Sequence, residues 1–139
     1  MTDSYIPDLV IFDLDMTLVD SSQLIGLRDS RNWSNAYTHF SKTFLFDGVR
    51  DCISRVLLRS NVGVVTNTPR PYAERILKFH NLTIPVYAAY HDTSMHKPSP
   101  APIQRACDMN SVNASGQFVV SIGDDIRDIQ ASKQVEGVY

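Results

Sequence analysis

The sequence contains no long hydrophobic run. Its longest apolar runs, Leu9–Phe12 and Phe118–Val120, are far too short to cross a bilayer, so we expect no membrane partner. Residues 1–7 also lack the basic start and apolar stretch that mark a secretory signal. Together these two absences favour a cytoplasmic location.

Cysteine is scarce, and Cys52 and Cys107 stand far apart without forming a CxxC pair. This spacing argues against a disulfide framework or a zinc site, and reduced thiols are expected. The four histidines do not show the HExxH spacing of zinc proteases either. A metal site built from cysteine or histidine is therefore not expected.

Neither sign of charge dominates the composition. The chain has 13 basic and 15 acidic residues and a net charge of −2, so we expect no nucleic-acid partner. Its 139 residues are 43% hydrophobic, which is enough for a buried core and unlike a disordered chain. The length fits a single domain covering residues 1–139.

Apolar segments rich in branched residues alternate with segments of helical spacing. The apolar segments predict four strands, at residues 8–12, 62–65, 86–89 and 118–122. The spacing elsewhere predicts helices over 48–60, from Pro69, from Pro100, and from Ile126 to Gly137. In the last helix, Ile126 and Ile129 are predicted to face inward. The alternation favours an α/β fold, a three-layer Rossmann-like parallel sheet with helices on both faces.

The predicted strand ends carry most of the reactive side chains. Three strand ends and one helix start contribute polar residues to the same edge: Asp13, Asp15, Thr66, Asn67, Lys97, Asp124 and Asp125. Ligands of parallel sheets bind beyond the carboxyl ends of the strands. The sequence therefore predicts a site at this edge.

The chemistry of these groups suits phosphoryl transfer. Clustered carboxylates without a histidine favour Mg²⁺ as the cofactor. One carboxylate can attack a phosphoryl group to give an aspartyl-phosphate, and a second can protonate the leaving oxygen and later activate water. Lys97 and Thr66 would supply hydrogen-bond donors to the charged phosphoryl oxygens.

Four ordered segments resemble the motifs of the haloacid dehalogenase superfamily. They are Asp13-Leu-Asp-Met-Thr17, Thr66-Asn67, Lys97-Pro98 and Gly123-Asp-Asp-Ile-Arg-Asp128. Leu18-Val-Asp-Ser21 and Leu45-Phe-Asp-Gly-Val49 are similar to the phosphoglycolate-phosphatase-like branch. Met16 occupies the position of the first motif at which glycine is commonest in this family.

The resemblance implies a role for each motif residue. Asp13 would be the nucleophile and a metal ligand. Asp15 would be the general acid and base, and its backbone carbonyl would also bind the metal. Thr66 and Lys97 would hold the phosphoryl oxygens, with Asn67 close by.

The last motif would complete the metal site. Asp124 would be its third ligand, and Asp128 would support the site from one helical turn away or through Lys97. Asp125 either caps the last helix or lies near a metal-bound water.

Asp15 also separates subtypes within the superfamily, because dehalogenases lack this second aspartate. Its presence implies a phosphomonoester hydrolase acting on a phosphorylated substrate, most simply a small molecule. Two alternatives stay open: a phosphomutase-type phosphoryl transfer, and a catalytically idle fold used for binding.

Two features depart from full-length relatives. The insertion at residues 18–46 has room only for a short helical cap, and its aromatic stripe (Trp33, Tyr37, Phe40 and Phe44) is expected to pack against the core. Gly137-Val-Tyr139 looks like the start of a final edge strand that is otherwise missing. An incomplete sheet edge predicts self-association.

Overall fold

A computed structural model describes residues 6–112 and 117–139. The strands are β1 Leu9–Phe12, β2 Val19–Asp20, β3 Phe44–Leu45, β4 Asn61–Val65, β5 Val86–Ala88 and β6 Val119–Ile122. The helices are α1 Ile25–Asp29, α2 Trp33–Tyr37, α3 Val49–Val56, α4 Arg70–Phe79, α5 Ala101–Met109 and α6 Ile126–Lys133. Short 3₁₀ turns occupy Ser22–Leu24, Phe40–Lys42 and Tyr90–Asp92.

The main sheet has the order β5-β4-β1-β6, and all its strand pairs are parallel. Helices connect the strands and cover the sheet, which confirms the predicted three-layer α/β fold. Beyond β6, Val138 bridges Val119, and Tyr139 exchanges backbone hydrogen bonds with Val119 and Ser121. The expected edge strand therefore begins at residues 137–139.

β1 lies inside the sheet, between β4 and β6, and both of its faces are apolar. Its four residues are at most 5% exposed. Val10 and Phe12 point into a core shared with α4, whereas Leu9 and Ile11 point into a second core shared with α5 and α6. Two buried faces require helices on both sides of the sheet. Because β1 pairs with β4 on one side and β6 on the other, Asp13 lies between the ends of these two strands.

The segment between β1 and α3 packs on the α4 side of the sheet. β2 and β3 form an antiparallel ribbon at its base, and α1 and α2 lie between them. The rings of Trp33 and Phe40 lie 5.2 and 5.8 Å from that of Tyr72 on α4. The expected packing against the core holds for these two residues and for Tyr37, whereas Phe44 is 63% exposed.

The prediction for α6 was wrong about its inward face. Ile126 and Ile129 are exposed, and the buried residues of the helix are Asp128, Ala131 and Ser132. The Asp128 carboxylate binds the buried ammonium of Lys97, and this ion pair sets the rotation of the helix. The polar contact therefore outweighs the isoleucine pattern.

In the described part of the chain, no helix is long and apolar enough to cross a membrane.

Gly63 in β4 allows the ring of Tyr87 to lie against the backbone, and an added Cβ would overlap that ring. We expect Gly63→Ala to lower the free energy of unfolding by about 1–3 kcal/mol, as overpacking does. Gly26→Ala is the matched control, since its Cβ would meet nothing within 4 Å. Urea denaturation of both variants tests this, and a fully stable Gly63→Ala protein would contradict it.

Self-association through the sheet edge stays a prediction. The Tyr139 side chain is 75% exposed beside β6, so Tyr139→Lys should reduce any association there. Leu58→Lys changes an equally exposed residue at the end of α3 and serves as the control. Sedimentation equilibrium over a wide concentration range measures the mass. A wild-type protein that stays monomeric throughout would refute the idea.

Candidate active site

The residues predicted from the sequence line one cleft of about 280 Å³ at the carboxyl ends of the strands. The cleft contains all eight of them: Asp13, Asp15, Thr66, Asn67, Lys97, Asp124, Asp125 and Asp128. Asp13 and Asp15 follow β1, Thr66 follows β4, and Asp124 follows β6. Neighbouring parallel strands end at the same edge, which is why residues distant in sequence meet here.

Lys97 occupies the centre of the cleft wall and is buried. Its Nζ donates to Asp13 Oδ1 at 3.0 Å, to Asp128 Oδ1 at 2.5 Å and to the Val65 carbonyl at 3.1 Å. These three acceptors match the three donors of an ammonium group. Asn67 fixes the Lys97 backbone, since its amide donates to the Lys97 carbonyl and accepts from the Lys97 N–H, both at 3.1 Å. In this arrangement Asn67 holds Lys97 in place.

Asp13 lies among other carboxylates. Burial raises its pKa to about 7 against the lowering effect of Lys97, and the neighbouring Asp128 and Asp124 add to the rise. One carboxylate oxygen from each of Asp13, Asp124 and Asp128 lies within 4.8 Å of the others. The single positive charge of Lys97 offsets the repulsion among these carboxylates only in part.

These carboxylates differ in how much they already bind. Asp128 is occupied, because Oδ1 accepts from Lys97 and Oδ2 accepts from the Asp125 N–H at 3.2 Å. Asp124 is exposed and accepts only a 3.2 Å hydrogen bond from Thr17 among the contacts described. Asp13 and Asp124 therefore offer oxygen ligands of the kind that Mg²⁺ prefers, and the donor set fits that ion.

Asp125 and Thr66 make local contacts. Asp125 Oδ1 accepts from the Arg127 N–H at 2.9 Å, so Asp125 caps α6, which was one of its two expected roles. The Thr66 hydroxyl shares a 2.7 Å hydrogen bond with Thr68 and accepts from the Thr68 N–H. These contacts fix the orientation of the Thr66 hydroxyl, and Thr66 lines the cleft.

The carboxylate of Asp15 is held by residues that the sequence did not identify as a group. Its Oδ1 accepts from the Ser21 hydroxyl at 2.6 Å and from the Tyr72 hydroxyl at 2.7 Å. Arg28 Nη2 lies 3.6 Å from its Oδ2. Burial, then the charge of Asp15 and the hydrogen bond to it, raise the pKa of Tyr72 well above its usual range, so its hydroxyl stays a donor.

Met16 adopts a left-handed backbone conformation with φ at 64°, directly after Asp15. Its N–H donates to the Val19 carbonyl at 2.7 Å and closes the turn after β1. Glycine is the residue that takes this conformation most easily, and a side chain there costs roughly 1–2 kcal/mol. The strain therefore falls in the lining of the cleft, directly after Asp15.

Comparison with known proteins agrees with this architecture. Residues 28–137 match the family model of the haloacid dehalogenase-like hydrolases. The chain belongs to this family. The matched stretch starts after Asp13 and Asp15. The position of these two residues in the cleft is therefore an observation that does not depend on the family match. No curated protein matches the sequence significantly.

Solved structures of the same fold come from several bacteria. A protein from Lactobacillus plantarum described as a phosphoglycolate phosphatase has a TM-score of 0.75 at 15% identity, covering 93% of this chain and 83% of that one. A hydrolase of the superfamily from Ehrlichia chaffeensis has a TM-score of 0.69 at 21% identity, covering 94% and 84%. CbbY from Rhodobacter sphaeroides, solved with phosphate, has a TM-score of 0.70 at 16% identity, covering 91% and 82%.

Removal of one partner from the buried ion pair of Lys97 and Asp128 should destabilise the fold strongly. We expect Asp128→Ala to lower the free energy of unfolding by about 3 kcal/mol, since it leaves part of a buried charge unpaired. Asp125→Ala removes a carboxylate from the start of the same helix and should cost only about 1 kcal/mol, the usual value of a helix cap. Denaturant titration measures both. Equal losses would show that the buried pair has no special weight.

Proposed function

We propose that the chain is a Mg²⁺-dependent phosphomonoester hydrolase that acts through an aspartyl-phosphate on Asp13. The observation that carries this proposal is the contact between Asp13 and the buried ammonium of Lys97, within a group of three carboxylates. A nucleophilic oxygen and a donor for phosphoryl oxygens thus lie side by side. Membership of a hydrolase family supports the same reaction class.

The charge of the cleft supports the need for a cation. Its lining includes six aspartates, whereas the basic residues number three: Arg28, Lys97 and Arg127. A phosphate group that carries its own negative charge would be repelled by this formal surplus of three. Asp13, Asp124 and the backbone carbonyl of Asp15 would hold the ion. When bound, the ion supplies positive charge that offsets the phosphoryl oxygens.

The proposed reaction has two steps. In the first, an Asp13 carboxylate oxygen bonds to phosphorus, the ester P–O bond breaks, and Asp15 donates its proton to the leaving oxygen. In the second, Asp15 takes a proton from water, the oxygen of that water bonds to phosphorus, and the bond to Asp13 breaks to release phosphate. Thr66 donates to the phosphoryl oxygens in both steps, and Lys97 does the same once the N–H that it donates to Asp13 turns to the substrate.

The segment at residues 18–46 would act as a short cap. It contributes Ile25, Arg28 and Asp29 to the lining of the cleft, opposite the strand ends. A volume of about 280 Å³ lies at the small end of ligand sites, so a small phosphorylated metabolite is the proposed substrate. These residues would meet the leaving group, since the phosphoryl group is held at the strand ends.

Asp13→Asn tests the nucleophile directly. It should reduce hydrolysis of p-nitrophenyl phosphate with Mg²⁺ by at least about a thousandfold, because the amide is a far weaker nucleophile than the carboxylate. Asp51→Asn makes the same change at an exposed site on α3 and should leave the rate unchanged. Wild-type protein without turnover in Mg²⁺, Mn²⁺ or Co²⁺ would refute the proposed function. Full activity of Asp13→Asn would refute only the role of Asp13.

Removal of divalent cations tests the second part of the proposal. Treatment with EDTA should abolish turnover, because the carboxylates would repel the substrate once the cation is removed. Added Mg²⁺ should restore turnover. Asp124→Asn should raise the Mg²⁺ concentration needed for half-maximal activity. Undiminished turnover in EDTA would show that no dissociable cation is required.

A further inference from the structure

The surroundings of Asp15 are built from two different parts of the chain, and the inference drawn from them rests on the function proposed above. Tyr72 belongs to α4 of the core, whereas Ser21 and Arg28 belong to the segment between β1 and α3. All three side chains converge on the Asp15 carboxylate, which is itself buried. Such a cluster around one carboxylate is more than packing requires.

The two oxygens of that carboxylate have different environments. Oδ1 accepts two hydrogen bonds, from the hydroxyls of Ser21 and Tyr72. Oδ2 accepts no hydrogen bond from any residue in the described ranges, although it is buried and faces Arg28 at 3.6 Å. Oδ1 is therefore the oxygen that Ser21 and Tyr72 hold in place. Oδ2 is the oxygen without such an anchor among the described residues.

Tyr72 is well placed to keep this arrangement rigid. Its side chain is fully buried, and its ring is packed between Trp33 and Phe40 at centroid distances of 5.2 and 5.8 Å. Ser21 is also fully buried, and its hydroxyl accepts from Arg28 Nη1 at 3.3 Å. Both hydroxyls are therefore shielded from water, and both hold Oδ1 by a hydrogen bond.

We propose that Tyr72 and Ser21 are positioning residues for proton transfer: their hydrogen bonds to Oδ1 fix the orientation of the Asp15 carboxyl group that protonates the leaving group. In the first step the carboxyl O–H bond of Asp15 breaks and a new O–H bond forms on the departing alcohol as the ester P–O bond breaks. Loss of an anchor leaves the nucleophile Asp13 untouched and misplaces only the proton donor.

This role has a signature that a general loss of structure lacks. An alkoxide leaving group needs a proton much more than p-nitrophenolate does, because p-nitrophenol is a far stronger acid than an alkyl alcohol. Tyr72→Phe should therefore lower kcat/KM for glycerol 2-phosphate by about tenfold or more, and that for p-nitrophenyl phosphate by less than about twofold. The ratio kcat/KM isolates the phosphorylation step, in which the leaving group departs.

Controls are available within the chain. Tyr87→Phe removes another buried tyrosine hydroxyl, which contacts Val62 and Asn110 away from the cleft. This variant should leave kcat/KM unchanged for both substrates. Ser21→Ala removes the second anchor and should show the same selective loss as Tyr72→Phe, which keeps the test valid if Tyr72→Phe does not fold. Adding Tyr72→Phe to Asp15→Asn should cause no further loss on glycerol 2-phosphate.

The outcomes separate this proposal from the proposed function. If the wild type hydrolyses both esters but the anchor variants lose the same factor on each, the positioning role is wrong and the hydrolase assignment stands. Full activity of both anchor variants on glycerol 2-phosphate would also show that the positioning role is wrong. If the wild type hydrolyses neither ester with Mg²⁺, the proposed function fails and this proposal fails with it.

Discussion

The buried ammonium of Lys97 is the interaction on which the rest of the cleft depends. Its three donors reach acceptors on three separate segments: Asp13 after β1, the Val65 carbonyl in β4, and Asp128 in α6. A buried ammonium is tolerated only when all its donors are satisfied. Meeting that condition brings together three segments of the fold, so the charge that we propose binds the phosphoryl group also organises the scaffold.

The packing of β1 between the two cores is a second constraint on the position of Asp13. Since its side chains alternate between two cores, neither core can shift without moving the strand. Asp13 continues that strand, and its N–H donates to the Ile122 carbonyl at 2.9 Å. The proposed nucleophile is thus fixed by packing on both faces of the sheet, and preorganisation of this kind keeps a reactive group in place without further adjustment.

Much of this architecture could be predicted from local patterns. Branched apolar runs and prolines at helix starts indicated the strands and helices, and the strand ends indicated where Asp13, Asp15 and Asp124 would meet. The isoleucines of α6 were misjudged, because a hydrophobic pattern does not register that one buried ion pair can set the rotation of a short helix. Tyr72 carried no signal at all, since a buried aromatic residue on a helix resembles any other core residue until its hydroxyl partner is visible.

The division of the Asp15 contacts between core and insertion limits how this chain can diversify. Ser21 and Arg28 lie on the segment that would meet a leaving group, yet they also touch the carboxylate that would protonate it. A substitution that reshapes the segment for a new substrate would therefore also disturb the proposed proton transfer. Evolution of specificity at this surface should favour side chains that leave those two positions unchanged, with variation confined to the outer turns of α1 and α2.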